Sequence, residues 1–267
     1  MLKFISFGSG SSGNCYYLYT ETDGLMIDVG IGTRTLRKYF SDYGLSLSDI
    51  KAILITHDHA DHVKSVGSLS SDLCVPVYST AAVHHGIEEN YCVRKKIRPG
   101  YERYIEHGET FMINDFEVTS FRVPHDSTDN NGYRVRYGDT TFCLITDAGK
   151  VTDEMKPFIT EADYLVLESN YELGELQRGP YPQYLKDRIV SERGHLSNAE
   201  CGMALAENAS PNLKHVWLGH LSEENNHPEL ARKTVESILR QYGIIAGKDF
   251  KLDVLKRRTP SEINILD

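Results

Sequence analysis

The chain alternates short apolar runs with short amphipathic ones from end to end. Residues 2–7 (LKFISF), 15–20 (CYYLYT) and 24–28 (GLMID) read as three successive strands, and 52–55 (AILI) and 76–79 (PVYS) as two more. Within 32–43, Leu36 and Phe40 fall on one face of a helix, and a second helix is expected after PVYS. From 102 to 145 polar and apolar residues alternate, with turn signals at Asn114-Asp115, Asn131-Gly132 and Gly138-Asp139, which predicts antiparallel strands and hairpins. Beyond Thr146 the order becomes strand, helix, strand, helix. YLVLE at 164–168 and HVWLG at 215–219 are buried-strand runs. Residues 197–209 open with a capping box, Ser197 followed three residues on by Glu200. A helix over 228–242 has Pro228 at its first position and Gly243 past its end. The longest polar connection, 169–194, is expected to be a substrate loop. The order predicts an α/β chain with two sheets packed face to face and helices on the outsides, as a single domain over 1–267.

Composition narrows the class. The 267 residues suffice for a large core without covalent staples. No run of about 18 apolar residues is present, so no transmembrane helix is expected. The start, MLKFISFGSGSSGN, has no apolar segment followed by a small-residue cleavage site. A cytoplasmic location without a membrane partner follows as the expectation. The five cysteines include no CxxC pair and are odd in number, which speaks against a disulfide framework or a Cys-rich zinc site. Cys15 and Cys143 sit in strand-like apolar runs and read as small hydrophobes. The formal net charge of -9 argues against a general nucleic-acid-binding protein. It leaves a nuclease open, because metal cations and a local basic patch can draw phosphate into an acidic shell.

The candidate chemistry begins at Thr56-His57-Asp58-His59-Ala60-Asp61-His62, directly after AILI. Three imidazoles and two carboxylates at the end of an apolar strand are costly unless metals or water satisfy them. His57 and His59 can converge on one ion, and Asp61 and His62 can reach a second. Further candidates stand just past other apolar runs: His125 after EVTSFRVP, Asp147 after TFCLIT and His220 after HVWLG. A lone histidine there is more often a hydrogen-bonded surface residue; the recurrence at strand ends raises these three.

Asp28, the 57–62 cluster, His125, Asp147 and His220 follow the order of the five motifs of the metallo-β-lactamase superfamily, and the chain resembles that superfamily over nearly its whole length. The resemblance implies a four-layer αββα sandwich and two divalent metal ions, with zinc, manganese and iron all open. It places His57, His59 and His125 on one metal, Asp61, His62 and His220 on the other, and Asp147 between them with a bridging hydroxide. Asp28 is then the carboxylate that props the metal loop. Glu168, in Glu-Ser-Asn, and His195, in Gly-His-Leu-Ser, resemble the Glu and His of the ribonuclease Z-like phosphodiesterase branch. Asp61, Glu168 and His195 are the expected catalytic residues, with His195 assisting the hydroxide's attack, and Ser11, Ser12, Asn14, Asn170 and Ser197 the expected substrate contacts. SGSSGN at 9–14, GPYPQYLKDRI at 179–189, GHLSN at 194–198 and GHLSEENNHPE at 219–229 resemble the YycJ-like group, whose members are associated with 5′–3′ exonuclease activity on DNA.

Other patterns carry less. Gly8-Ser-Gly10-Ser-Ser-Gly13 is a literal GxGxxG, but a strand follows it where dinucleotide binding needs a helix. The basic runs Arg94-Lys95-Lys96-Ile97-Arg98 and Lys256-Arg257-Arg258 could contact a nucleic-acid backbone, although such runs are usually solvated faces. Arg178, Lys186 and Arg188 stand nearer the substrate if the resemblance holds. His84, His85, His107, His215 and His227 show no pattern and read as structural or exposed. The leading expectation is a phosphodiesterase acting on DNA. The alternative is a hydrolase of a small phosphodiester, lactone or thioester. A redox centre is disfavoured because His59 stands where diiron relatives carry an acid.

Overall fold

A computed structural model describes all residues, 1–267. The chain begins β1 (Leu2–Gly8), β2 (Cys15–Tyr19), β3 (Gly24–Ile27), α1 (Thr33–Asp42), β4 (Ile50–Leu54), α2 (Ala60–Val63), α3 (Val66–Leu73) and β5 (Val77–Ser79). It continues with α4 (Ala81–Glu89), β6 (Glu102–Tyr104), β7 (Thr110–Ile113), β8 (Phe116–Arg122), β9 (Asn131–Tyr137), β10 (Thr140–Ile145), α5 (Lys156–Glu161) and β11 (Tyr164–Glu168). The last part is α6 (Leu173–Arg178), α7 (Gln183–Ile189), α8 (Asn198–Asn208), β12 (His215–Gly219), α9 (Pro228–Gln241), β13 (Lys251–Val254) and β14 (Asn264–Leu266).

The strands form two seven-stranded mixed sheets, in the orders β14-β1-β2-β3-β4-β5-β6 and β13-β12-β11-β10-β9-β8-β7. In the first, β3 to β6 run parallel; in the second, β10 to β13 do. Parallel strands are covered on both faces, which is why β11 and β12 are apolar at nearly every position and buried throughout. The chain divides into two compact units, residues 1–120, 127–131 and 256–267 in one and 121–126 and 132–255 in the other. Each has its own apolar core. One gathers Phe7, Tyr17, Phe40, Ile53 and Val77; the other gathers Phe121, Ile145, Leu167, Leu218 and Val235. Burial raises the thiols of Cys15, Cys143 and Cys201, so they behave as small hydrophobes. No helix is long and apolar enough to cross a membrane.

Several local expectations hold. Ser197 accepts from Glu200 N–H and Glu200 accepts from Ser197 N–H, so α8 starts with a complete capping box. Ile113 pairs with Phe116 and Tyr137 with Thr140, so Asn114-Asp115 and Gly138-Asp139 are two-residue turns. Asn131-Gly132 is not a turn but the start of β9. Asn131 N–H donates to Thr56 O at 2.9 Å. A side chain at Gly132 would meet the Phe121 ring at 2.2 Å, so this glycine answers to close packing and not to chain reversal. β6 joins β5 in parallel and forms no hairpin. Residues 169–194 are not an open loop: they hold α6 and α7 around a small cluster of Tyr171, Leu176 and Ile189.

The connection after β8 is tied down in the first unit by two carboxylates. Asp58 accepts from Thr128 N–H at 3.1 Å and from its hydroxyl. Asp129 accepts from His107 Nε2 at 3.0 Å, Thr80 Oγ1 at 3.0 Å and Asn130 N–H at 3.1 Å. Partial burial acts to raise the Asp129 carboxyl, but the hydrogen bond and charge of His107 outweigh it and hold it below the ordinary range. A carboxylate depressed on folding stabilises fully above its unfolded pKa of about 3.9 and loses that contribution as pH falls through the folded value. Asp129→Asn is therefore expected to cost about 1–3 kcal/mol at neutral pH. The gap to wild type should close on acidification below about pH 3.9, measured by urea unfolding across pH. A gap independent of pH would show that the charge of Asp129 is not what anchors this segment.

Candidate active site

In the first unit, β3 and β4 pair in parallel with Ile27 opposite Leu54, so Asp28 and the run Thr56–His62 leave the sheet at one edge. Asp28 lies just past β3 with a φ of 58° and is completely buried. Its Oδ1 accepts from Thr56 N–H at 2.9 Å; its Oδ2 accepts from Thr56 Oγ1 at 2.9 Å and from His62 Nδ1 at 2.7 Å. Because the Thr56 hydroxyl proton goes to Asp28, Thr56 Oγ1 accepts from His57 Nδ1 at 3.0 Å. One carboxylate thus orients His62 directly and His57 through Thr56. Burial pushes the Asp28 carboxyl above its ordinary range, although His62 and Thr56 pull it down. The His59 ring stands edge-on to His57 with centroids 4.6 Å apart. Asp61 Oδ2 is 3.6 Å from His62 Nε2.

The glycine-rich first loop braces this segment. Asn14 N–H donates to Asp61 O at 2.7 Å, Gly30 N–H donates to Asn14 O at 2.8 Å, and Val29 N–H donates to His62 O at 2.7 Å. A side chain at Gly30 would lie 1.6 Å from Asp61 O, so no other residue fits there without moving the 57–62 segment. Asn14 is fully buried, with its amide 2.8 Å from His62 Nε2, and it accepts from Gly10 N–H. Ser11 and Ser12 are exposed.

In the second unit, β10, β11 and β12 are parallel, with Ile145 opposite Leu167 and Glu168 opposite Gly219. Asp147, Glu168 and His220 therefore emerge at one edge. Asp147 and His220 have φ values of 54° and 53°, a left-handed conformation that costs an ordinary residue about 1–3 kcal/mol. Glu168 is completely buried and accepts four hydrogen bonds. Its Oε1 takes His195 Nδ1 at 2.8 Å and His220 Nδ1 at 2.9 Å; its Oε2 takes Ala148 N–H at 2.7 Å and Leu196 N–H at 3.2 Å. Burial alone would raise this carboxyl, but the charge of His195 and the bonds from both imidazoles outweigh it and hold it below the ordinary range. Ligand-type atoms of Asp147, Glu168, His195 and His220 all lie within 4.8 Å of one another. His125 Nδ1 bonds Gly194 O at 2.9 Å, and Arg193 donates to His125 O at 2.9 and 3.0 Å.

The remaining expected substrate residues are engaged internally. Asn170 donates to His220 O at 2.7 Å, and the Ser197 hydroxyl serves the cap of α8. Thr56, Gly30 and Arg193 were not singled out from sequence. Gly30 in Asp-Val-Gly is a signal that could have been read as a close backbone approach.

The "Beta-lactamase superfamily domain" profile matches residues 25–220. The chain belongs to this superfamily. Exodeoxyribonuclease YycJ of Bacillus anthracis is 33% identical over 262 residues, 98% of each chain. Exodeoxyribonuclease WalJ of Streptococcus pneumoniae serotype 2 is 34% identical over 250 residues, covering 94% of this chain and 93% of that one. Among solved structures, the metallo-β-lactamase-fold protein YhfI of Bacillus subtilis aligns with a TM-score of 0.70 at 18% identity, over 97% of this chain and 98% of that one. The two mixed sheets with flanking helices are the metallo-β-lactamase fold, which implies divalent metal.

The donor set of this superfamily member fits such a cation. His62 and His220 face carboxylates and His125 a carbonyl, all pure acceptors, so each Nδ1 carries the proton. Nε2 is then the lone-pair nitrogen a metal uses, and the same holds for His57 through Thr56; on His62 a metal would take the place of the Asn14 amide, which stands 2.8 Å from Nε2. Glu168 already has four donors on its oxygens, which suits it to orienting the two imidazoles. In Glu168→Gln one accepting position becomes an N–H facing another donor. The expected cost is about 1–3 kcal/mol of stability and a 10–100-fold loss of metal affinity. Urea unfolding and calorimetric metal titration measure both; wild-type values in each would remove the orienting role.

Proposed function

We propose that this chain is a binuclear metal-dependent phosphodiesterase that degrades DNA as a 5′–3′ exonuclease, working as one domain in the cytoplasm. The observation that carries the reading is the Glu168 carboxylate bonded to two imidazoles, His195 and His220. It leaves the Nε2 of a partly exposed histidine available to a substrate beside a metal-ligand histidine. The two relatives named exodeoxyribonuclease, alike over nearly their whole lengths, support DNA as the substrate.

In this proposal His57, His59 and His125 hold one cation, Asp61, His62 and His220 the other, and Asp147 serves both. Zinc, manganese and iron all suit this mixed imidazole–carboxylate set. When bound, the pair supplies a water acidic enough to be deprotonated near neutral pH and positive charge for the phosphoryl oxygens. The chain's own part is positional. Asp28 and Glu168 hold imidazole orientation, and Asp61, held through its carbonyl by Asn14, is placed as both ligand and catalytic carboxylate. His195, oriented by Glu168, carries a proton on Nδ1; its Nε2 contacts the phosphate and gives a proton to the leaving oxygen when the ring is protonated. Ser11 and Ser12 offer exposed hydroxyls to the substrate. Asn14, Asn170 and Ser197 act behind them.

The test is a matrix of zinc, manganese and iron against 5′- and 3′-labelled DNA, RNA and a chromogenic phosphodiester. Cleavage of DNA from the 5′ end is the expected result; turnover of the small ester with DNA left intact would establish the small-substrate alternative instead. Asp147→Ala should lose metal by elemental analysis together with all activity. His195→Ala should keep its metal yet lose about 10²–10⁴-fold in kcat. Full activity in that variant would remove His195 from the mechanism.

A further inference from the structure

Within the second unit, Asn170 stands between the loops that carry His195 and His220, and its polar groups are divided between them. Its main-chain N–H donates to Leu196 O at 2.9 Å, its carbonyl accepts from Ser222 N–H at 2.8 Å, and its side-chain amide donates to His220 O at 2.7 Å. His220 has a φ of 53°, a left-handed conformation that an ordinary residue keeps only where its surroundings fix it. The carbonyl that Asn170 grips belongs to that strained residue. Ser169 N–H donates to Gly219 O at 3.0 Å. The peptides on both sides of His220 are therefore held from residues 169 and 170.

Residues 169 and 170 are held in turn by a chain of side chains that ends on a carboxylate. Glu172, just ahead of α6, can only accept as a carboxylate. Its Oε2 takes Asn198 Nδ2 at 3.0 Å and Thr234 Oγ1 of α9 at 2.9 Å. The amide nitrogen of Asn198 is thereby set toward Glu172. The Asn198 carbonyl then accepts from Ser169 Oγ at 2.7 Å and from Asn226 Nδ2 at 2.9 Å, and Asn198 Nδ2 returns a bond to Asn226 Oδ1 at 3.0 Å. The other hydrogen of the Asn226 amide meets the carbonyls of Ser169 and Asn170 at 3.0 and 2.9 Å, while His227 N–H donates to Asn226 Oδ1 at 2.9 Å. Reversing the Asn226 amide would set N–H against N–H and carbonyl against carbonyl, so one orientation satisfies every neighbour. Ser169, Asn170, Asn198 and Asn226 are all buried, where an unmatched polar atom is costly.

We infer that Asn198 and Asn226, oriented by Glu172, are positioning residues for His220: they hold Asn170, and through it the left-handed backbone that aims the His220 imidazole. Glu168 sets which nitrogen of that ring carries the proton. The asparagine network sets where the ring stands, and a metal ligand needs both. The inference rests on the proposed role of His220 as a metal ligand and adds the group that keeps its strained backbone in place.

Asn226→Asp keeps the size of the side chain but turns an oxygen toward the Ser169 and Asn170 carbonyls. Asn198→Ala cuts the link to Glu172 at the first residue of α8, where alanine suits a helix, so it is the variant expected to fold most readily. Asn208→Ala is the control: it removes one amide bond, to Ala204 O at 2.9 Å, at the other end of the same helix. Wild type and variants are compared by urea unfolding without metal, by calorimetric titration with zinc, and by the visible absorption of the cobalt(II)-loaded protein, which reports ligand geometry. Asn226→Asp and Asn198→Ala should bind the ion assigned to His220 about 10–100-fold more weakly and show an altered cobalt spectrum. The control should lose some stability and keep wild-type affinity and spectrum. Reduced stability with unchanged zinc affinity and cobalt spectrum in both variants overturns this inference and leaves His220 as a ligand. A control that loses metal as the variants do overturns it too, because affinity would then follow overall stability. A folded wild type that takes up no metal overturns the metal reading with it.

Discussion

An imidazole can offer the lone pair of Nε2 only if its proton is held at Nδ1, and at four histidines of this protein that condition is met. Two completely buried carboxylates meet it. Asp28 takes the Nδ1 proton of His62 and, through Thr56, that of His57. Glu168 takes those of His195 and His220. A buried carboxylate without partners would be costly by several kcal/mol. Here the oxygens accept three hydrogen bonds on Asp28, which reduce the effect of burial, and four on Glu168, which outweigh it. The carboxylates also anchor main chain, Thr56 N–H on one side and Ala148 and Leu196 N–H on the other. Within each unit, side-chain orientation and loop conformation are thereby coupled.

The positions of those groups follow from strand direction. Parallel strands in register bring their carboxyl ends to a common edge, so residues far apart in the chain leave the sheet together. Asp28 and His57 share one edge; Asp147, Glu168 and His220 share another. Three of the five non-glycine residues with positive φ are Asp28, Asp147 and His220. Each stands just beyond a strand, where a left-handed residue turns the side chain away from the alternation of the sheet. The strain is concentrated where chemistry is expected, and the strands behind it are almost wholly buried.

The electrostatics divide in the same way. Many basic side chains are in local pairs: Arg188 with Asp126, Arg178 with Glu175, Lys186 on Gln177 O. Arg178, Lys186 and Arg188 therefore steady α6, α7 and the loop after His125.

The amino-acid order alone determined the strands and helices with clear periodicity, the capped start of α8 and the strand-end positions of the metal-type residues. These are local properties: apolar period, cap chemistry and turn residues act over a few neighbours. Tertiary structure decided the rest. Gly132 reads as a turn glycine until Phe121 is seen beneath it. Asn14 shows no structural role in the sequence, and only folding brings its N–H to Asp61 O. His107 showed no pattern because its partner, Asp129, lies 22 residues away. Which atom of a polar side chain faces which neighbour depends on chain segments brought together only by folding, and that is information no local pattern holds.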